Sequence, residues 1–143
     1  VSEQNEKPKT LVFLCAENSA RSQMAEELAR ASAPAGWKIF SAGSRPTLPH
    51  PFAIEVMREI GLDISDSKAK GLDAVPVNDA DYVVCLCEEE LATKIETSAE
   101  TLNWALPDPV GLGDQIRFQL DSFRSARDEI KRKIDSFWSD QGR

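Results

Sequence analysis

Cysteine is scarce in this chain, with three residues in 143, at positions 15, 85 and 87. So small and odd a count builds no disulfide framework, and a chain of this size can form its own core. The thiols are therefore expected to carry chemistry rather than cross-links. Long apolar runs are missing too. Leu11 to Cys15 and Tyr82 to Cys87 fall far short of the ~20 residues of a membrane-spanning helix, and Val1 to Thr10 is polar rather than signal-like. Positive charge is in deficit: 17 Lys and Arg against 24 Asp and Glu give a formal net charge of −7, with no basic cluster to offset it. That balance opposes binding to a polyanion and excludes nucleic acid as an expected partner. Neither glycine pattern of a dinucleotide or Walker-type phosphate loop is present. The only histidine, His50, precedes Pro51 in a loop and needs no catalytic task. These absences lead to the expectation of a soluble, cytoplasmic protein that contacts neither membrane nor nucleic acid, and a monomer is expected as well.

What is present fits one globular domain, with 41% hydrophobic and 29% charged residues. Val1 to Lys9 is charged, lacks periodicity and carries Pro8, so residues 1–9 are predicted to be a disordered tail and residues 10–143 a single domain. Leu11 to Leu14 is a continuous apolar run of the kind that forms a strand buried on both faces. After a polar loop, Met24, Ala25, Leu28 and Ala29 recur at helical spacing until Pro34 and Gly36. Trp37 to Phe40 reads as a second strand, and Ile54, Met57 and Ile60 as a helix closed by Gly61. Tyr82 to Cys87 reads as a third strand, Glu88 to Thr97 as the start of a short helix, and Leu102 to Ala105 as a weaker fourth strand. Ile116, Leu120, Phe123, Ile130, Ile134 and Phe137 place an apolar stripe along one final helix. Alternation of strand and helix argues for a parallel sheet with helices on both faces, and ligands bind such sheets outside the carboxyl ends of the strands. Cys15, Cys87 and the segment around Asp108 all fall at or just after predicted strand ends.

Cys15-Ala16-Glu17-Asn18-Ser19-Ala20-Arg21-Ser22 has the form C-x5-R-S between a buried strand and a helix. Residues 16–20 can curl so that successive backbone N–H groups converge on one anion, and the following helix adds its own N–H groups and positive dipole end. The same field favours the thiolate of Cys15. Arg21 brings a planar fork for two oxygens of the anion. Ser22 can donate its hydroxyl hydrogen to the thiolate, and Asn18 can brace the turn. The plainer alternative is that Cys15 packs at a strand end and that Asn, Ser and Arg merely open a helix.

Phe13 to Cys15 followed by Asn18 to Glu26 resembles the active-site segment of arsenate reductases built on the low-molecular-weight protein tyrosine phosphatase fold. Ser41-Ala42-Gly43-Ser44, Ala53 to Ser65 and Trp104 to Pro109 resemble further segments of the same family. Gln23 stands where the phosphatase branch usually has Pro, and Val110-Gly111 follow Asp108-Pro109 where that branch usually has tyrosines. Ala20 departs from the family, which commonly has Cys there, at a position that is not the nucleophile. The resemblance implies a four-stranded, three-layer sandwich of the low-molecular-weight phosphatase type.

It also implies roles. Asp108, fixed between Pro107 and Pro109, would protonate a leaving oxygen, although Asp-Pro is also simply a good turn. In the reductase family a cysteine follows the third strand, and Cys87 matches it. A phosphatase needs one thiolate; a reductase needs a second thiol to attack Cys15, release arsenite and leave a disulfide. Both Cys85 and Cys87 can instead be packing residues. Thioredoxin-coupled reductases carry another cysteine several residues further on, and none lies between Glu88 and Asn103. Either Cys85 is a third thiol or an external thiol, glutathione with glutaredoxin, resolves the disulfide; a strand residue moves less easily than a loop, which favours the external thiol. The expected activity is arsenate reduction with no bound metal or organic cofactor, the partners being arsenate or a phosphate-like oxyanion and a glutaredoxin or thioredoxin. The alternatives are a phosphotyrosine phosphatase and an oxyanion-binding regulatory module. Glu26 can turn back under the loop, and Trp104 is expected in the core.

Overall fold

The computed structural model describes residues 9–15, 20–43, 48–86, 97–106 and 116–141. Its elements are β1 (Lys9–Cys15), α1 (Arg21–Ser32), β2 (Trp37–Gly43), α2 (Pro51–Arg58), β3 (Tyr82–Cys85), β4 (Glu100–Asn103) and α3 (Ile116–Gln141), with a 3-10 turn at Leu72–Ala74. Lys9, assigned by its charge to the tail, is the first residue of β1 and pairs with Trp37. The rest of the predicted tail, residues 1–8, lies outside the described residues.

All four strands are parallel, in the order β2-β1-β3-β4. β1 is central, and its residues alternate between two cores. Leu11, Phe13 and Cys15 face one cluster; Val12 and Leu14 face the other. Leu11, Phe13 and Leu14 are at most 1% exposed, and burial of each contributes roughly 1.5–3 kcal/mol. The first cluster is closed by α1 through Met24, Ala25, Leu28 and Ala29, by α2 through Ala53, Val56 and Met57, and by α3. On α3 the buried residues Phe123, Ala126, Ile130, Ile134 and Phe137 keep the helical spacing read from the sequence. Trp104 belongs here, 6.2 Å from Phe13 and 6.3 Å from Phe137 between ring centroids. The other face is lined by Val75, Val77 and Ala80 from the segment around the 3-10 turn.

Three strand boundaries differ from the sequence reading. β2 continues to Gly43, because its last residues pair with Phe13, Leu14 and Cys15 and the Gly43 N–H donates to the Lys70 carbonyl at 2.8 Å. β3 stops at Cys85, two residues early, and β4 runs from 100 to 103 rather than 102 to 105. Of the short helix predicted from 88 to 97, residues 88–96 lie outside the described residues. Among the described residues no helix is long and apolar enough to cross a membrane.

The strand order fixes where a ligand can sit. After β1 the chain moves outward to β2 and then returns across β1 to β3. The crevice between the carboxyl ends of β1 and β3 is therefore a topological switch point. Cys15 ends β1 at that crevice.

Candidate active site

Cys15 is 3% exposed and Ser22 is fully buried, with Cys15 Sγ and Ser22 Oγ 3.0 Å apart. When the sulfur is ionised, the hydroxyl is the donor. β1 fixes Cys15, and the first turn of α1 fixes Ser22, so two rigid elements hold the pair. α1 has Ala20 at its N-cap position and no side-chain cap; the Ala20 carbonyl accepts from the Met24 N–H at 2.9 Å. Its amino end is thus directed at the crevice with no side chain of its own closing it. Of the residues assigned to the oxyanion loop, Ala16, Glu17, Asn18 and Ser19 lie outside the described residues, as do Asp108 and Cys87.

Arg21 takes an unforeseen set of partners. Its Nη1 donates to the Leu86 carbonyl at 3.0 Å and to the Leu106 carbonyl at 2.9 Å. Both carbonyls belong to the chain just beyond the sheet. The Leu86 N–H donates to Leu14 at 2.9 Å, the Trp104 N–H to Cys85 at 2.8 Å and the Leu106 N–H to Leu86 at 3.3 Å. The ladder between β3 and β4 is thereby carried past the strand ends to the level of Arg21.

Cys85 is fully buried as a thiol, in the cluster with Leu14, Val83 and Ala42. Cys15 belongs to the cluster on the opposite face. Leu86, the residue after β3, packs in the Cys15 cluster, so burial alternates between the two faces from Val83 through Leu86.

α1 also carries buried polar side chains. Gln23, 2% exposed, donates through Nε2 to the Lys68 carbonyl at 3.0 Å. Glu26, 6% exposed, accepts from the Ser41 hydroxyl and lies 2.8 Å from Arg30 Nη1 and 3.4 Å from Lys70 Nζ. Among the described residues these are its partners, so Glu26 ties α1 to β2 and to residue 70. Sequence reading placed Gln23 and Glu26 on α1 but gave no signal for Lys68 or Lys70. Among the described residues no three His, Cys, Asp or Glu side chains gather to hold a metal ion.

A strand-end cysteine, a serine in the following helical turn and an arginine beside it thus meet at the switch point of a four-stranded parallel sheet. Residues 10–141 match the family described as low molecular weight phosphotyrosine protein phosphatase. The chain belongs to this family. Among its relatives, the arsenate reductase of Brevibacillus brevis is 35% identical over 134 residues, 92% of this chain and 96% of that protein. Two solved arsenate reductase structures, one in an oxidized state and one in a phosphate binding state, share 29% identity over 92% of this chain and 98% of theirs, with TM-scores of 0.78 and 0.72. The thioredoxin-dependent arsenate reductase of Corynebacterium glutamicum matches at 26% identity and a TM-score of 0.71, over 98% of this chain and 66% of that one. The family membership accounts for the four-stranded parallel fold.

Proposed function

We propose that this chain is a thiol-dependent arsenate reductase. The observation that carries the reading is the 3.0 Å contact of Ser22 with Cys15 at the switch point, in a chain 35% identical to an arsenate reductase. In the proposed reaction the Cys15 thiolate attacks arsenic(V) of an arsenate bound by the 16–21 loop backbone and Arg21. Asp108 protonates the oxygen that leaves as water, and a sulfur–arsenic bond remains. The Cys87 thiolate then attacks Cys15 Sγ: the sulfur–sulfur bond forms, the sulfur–arsenic bond breaks, and its electron pair stays on arsenic as arsenite. Two thiols are oxidised to one disulfide and arsenic(V) is reduced to arsenic(III), so neither metal nor organic cofactor enters.

An external thiol then reduces the disulfide. The burial of Cys85 in the opposite cluster supports an outside donor over a third thiol supplied by this chain. Glutathione with glutaredoxin is the favoured donor, and thioredoxin, which serves the Corynebacterium relative, is the alternative. Gln23 favours reduction over phosphate-ester hydrolysis: its side chain occupies a buried site bonded to Lys68, where the phosphatase branch usually has Pro.

The test compares wild type, Cys15→Ser and Cys87→Ser for arsenite release with each thiol donor and for aryl-phosphate hydrolysis. Both variants should lose arsenite release, whereas Cys87→Ser should keep any esterase activity that wild type shows. If Cys87→Ser reduces arsenate as fast as wild type, the redox pair is wrong. Efficient ester hydrolysis without arsenite release would assign a phosphatase, and oxyanion binding without either turnover a regulatory module.

A further inference from the structure

Arg21 is held by two carbonyls that its expected role as an anion ligand does not require. Leu86 and Leu106 lie 65 and 85 residues from it in the chain, and one nitrogen, Nη1, serves both. That nitrogen carries two N–H groups, so two carbonyl bonds use its whole donor capacity. The Leu86 carbonyl also accepts from the Leu106 N–H, which closes a small ring of hydrogen bonds joining the end of α1 nearest Cys15 to the exits of β3 and β4. Hydrogen bonds from a charged donor are stronger than neutral ones, and here they hold the backbone at both exits. Leu86 immediately precedes Cys87, and Leu106 precedes Asp108 by two residues.

We infer that Arg21 is a positioning residue as well as an anion ligand: through Nη1 it clasps the exits of β3 and β4 together beside Cys15, and so sets the points from which the chain leaves for residues 87 and 108. Nη1 is thus committed to the backbone at both exits. A lysine, with a compact ammonium in place of a planar fork, keeps the charge but cannot span two carbonyls and an anion in fixed geometry.

The test of the clasp is run in oxyanion-free chloride buffer. Arg21→Lys should raise the exchange rate of the Leu106 and Trp104 amide hydrogens at least tenfold, with the Val12 and Val83 amides of the sheet centre unchanged. The equilibrium constant for the Cys15–Cys87 disulfide against dithiothreitol should also change about tenfold, equivalent to about 30 mV for a two-electron couple. A role confined to the anion predicts wild-type values for both, and that result overturns the clasp. Should the variant not fold, guanidinium 15N spectra of the wild type decide: hindered rotation about Cζ–Nη1 supports the clasp, and free rotation overturns it. The disulfide arm rests on the reductase reading, whereas the exchange and spectral arms do not. A wild type that forms no such disulfide sinks that reading, and the clasp is then judged by exchange and spectra.

Discussion

Ser22 Oγ lies 3.0 Å from Cys15 Sγ, and both side chains are buried. Little water reaches the sulfur, so an ionised Cys15 depends on fixed donors, and the Ser22 hydroxyl is one that the sequence places seven residues away. A hydrogen bond to a charged group is worth about 1.5–3 kcal/mol. Ser22→Ala should therefore slow alkylation of Cys15 by iodoacetamide at neutral pH roughly ten- to hundredfold, since the thiolate is the reactive form. Reaction at the wild-type rate would show that the serine is only a packing residue.

Glu26 joins three parts of the chain. Its carboxylate is 8% exposed, whereas Lys70 and Arg30 are 27% and 49% exposed and keep access to water. Removing the buried partner is thus costlier than removing either cation. Glu26→Ala should lower stability by about 3 kcal/mol, because the Ser41 hydroxyl loses its acceptor and two cations lose their counter-charge. Glu26→Gln keeps an acceptor and should cost about 1 kcal/mol. Urea denaturation of the three proteins measures both values, and equal losses would mean that charge rather than the Ser41 bond matters.

The parts of the fold that were legible are those whose cause is local. Leu11 to Leu14 reads as a strand because every side chain in it is apolar, and the places of Cys15 at a strand end and of Arg21 and Ser22 at a helix start are legible because both flanking elements are strongly patterned. The end of β2 is hidden in the sequence because Ser41, Ala42 and Gly43 are small and have little strand preference; pairing with β1 and the Lys70 carbonyl makes them strand. The apolar run extends beyond β3 because Leu86 stays fully buried and still bonds to Leu14 and Leu106 after the regular strand has ended at Cys85. The start of β4 carries no apolar signal because Glu100 and Thr101 are exposed on an edge strand. The Arg21 carbonyl partners, the Gln23–Lys68 bond and the Glu26–Lys70 pair connect residues far apart in sequence, and no periodicity encodes them.

Gly61 closes α2 and its following turn with φ +83°, in the left-handed region. The Leu62 N–H bonds the Met57 carbonyl at 3.0 Å and the Gly61 N–H bonds that of Arg58 at 3.0 Å, the pattern of a Schellman motif. An added Cβ would meet nothing within 4 Å, so a substitution there carries backbone strain without a clash. Gly61→Ala should destabilise the protein by about 1–2 kcal/mol and Gly61→Asn by less, because Asn tolerates this conformation better. Thermal or urea unfolding distinguishes them; equal losses would point to an effect other than φ.

The carboxylate of Glu59, just past α2, bridges that helix to α3. Arg124 reaches it through Nη2 at 2.7 Å and Nε at 3.0 Å, and Arg127 through Nη1 at 2.9 Å. Hydrogen bonds from Arg124 first, and then from Arg127, lower the Glu59 pKa from 4.5 to about 2. Folding therefore favours the ionised form. The resulting stability is present above the unfolded-state value and is lost as pH falls from about 4.5 towards 2. Glu59→Gln should accordingly unfold at lower urea than wild type at pH 7, and the difference between the two midpoints should shrink across that acid range. High salt should narrow the gap at pH 7 as well, since the pair is partly open to solvent. A difference that stays constant from pH 7 to pH 2.5 would mean that the arginines hold Glu59 by shape rather than by charge.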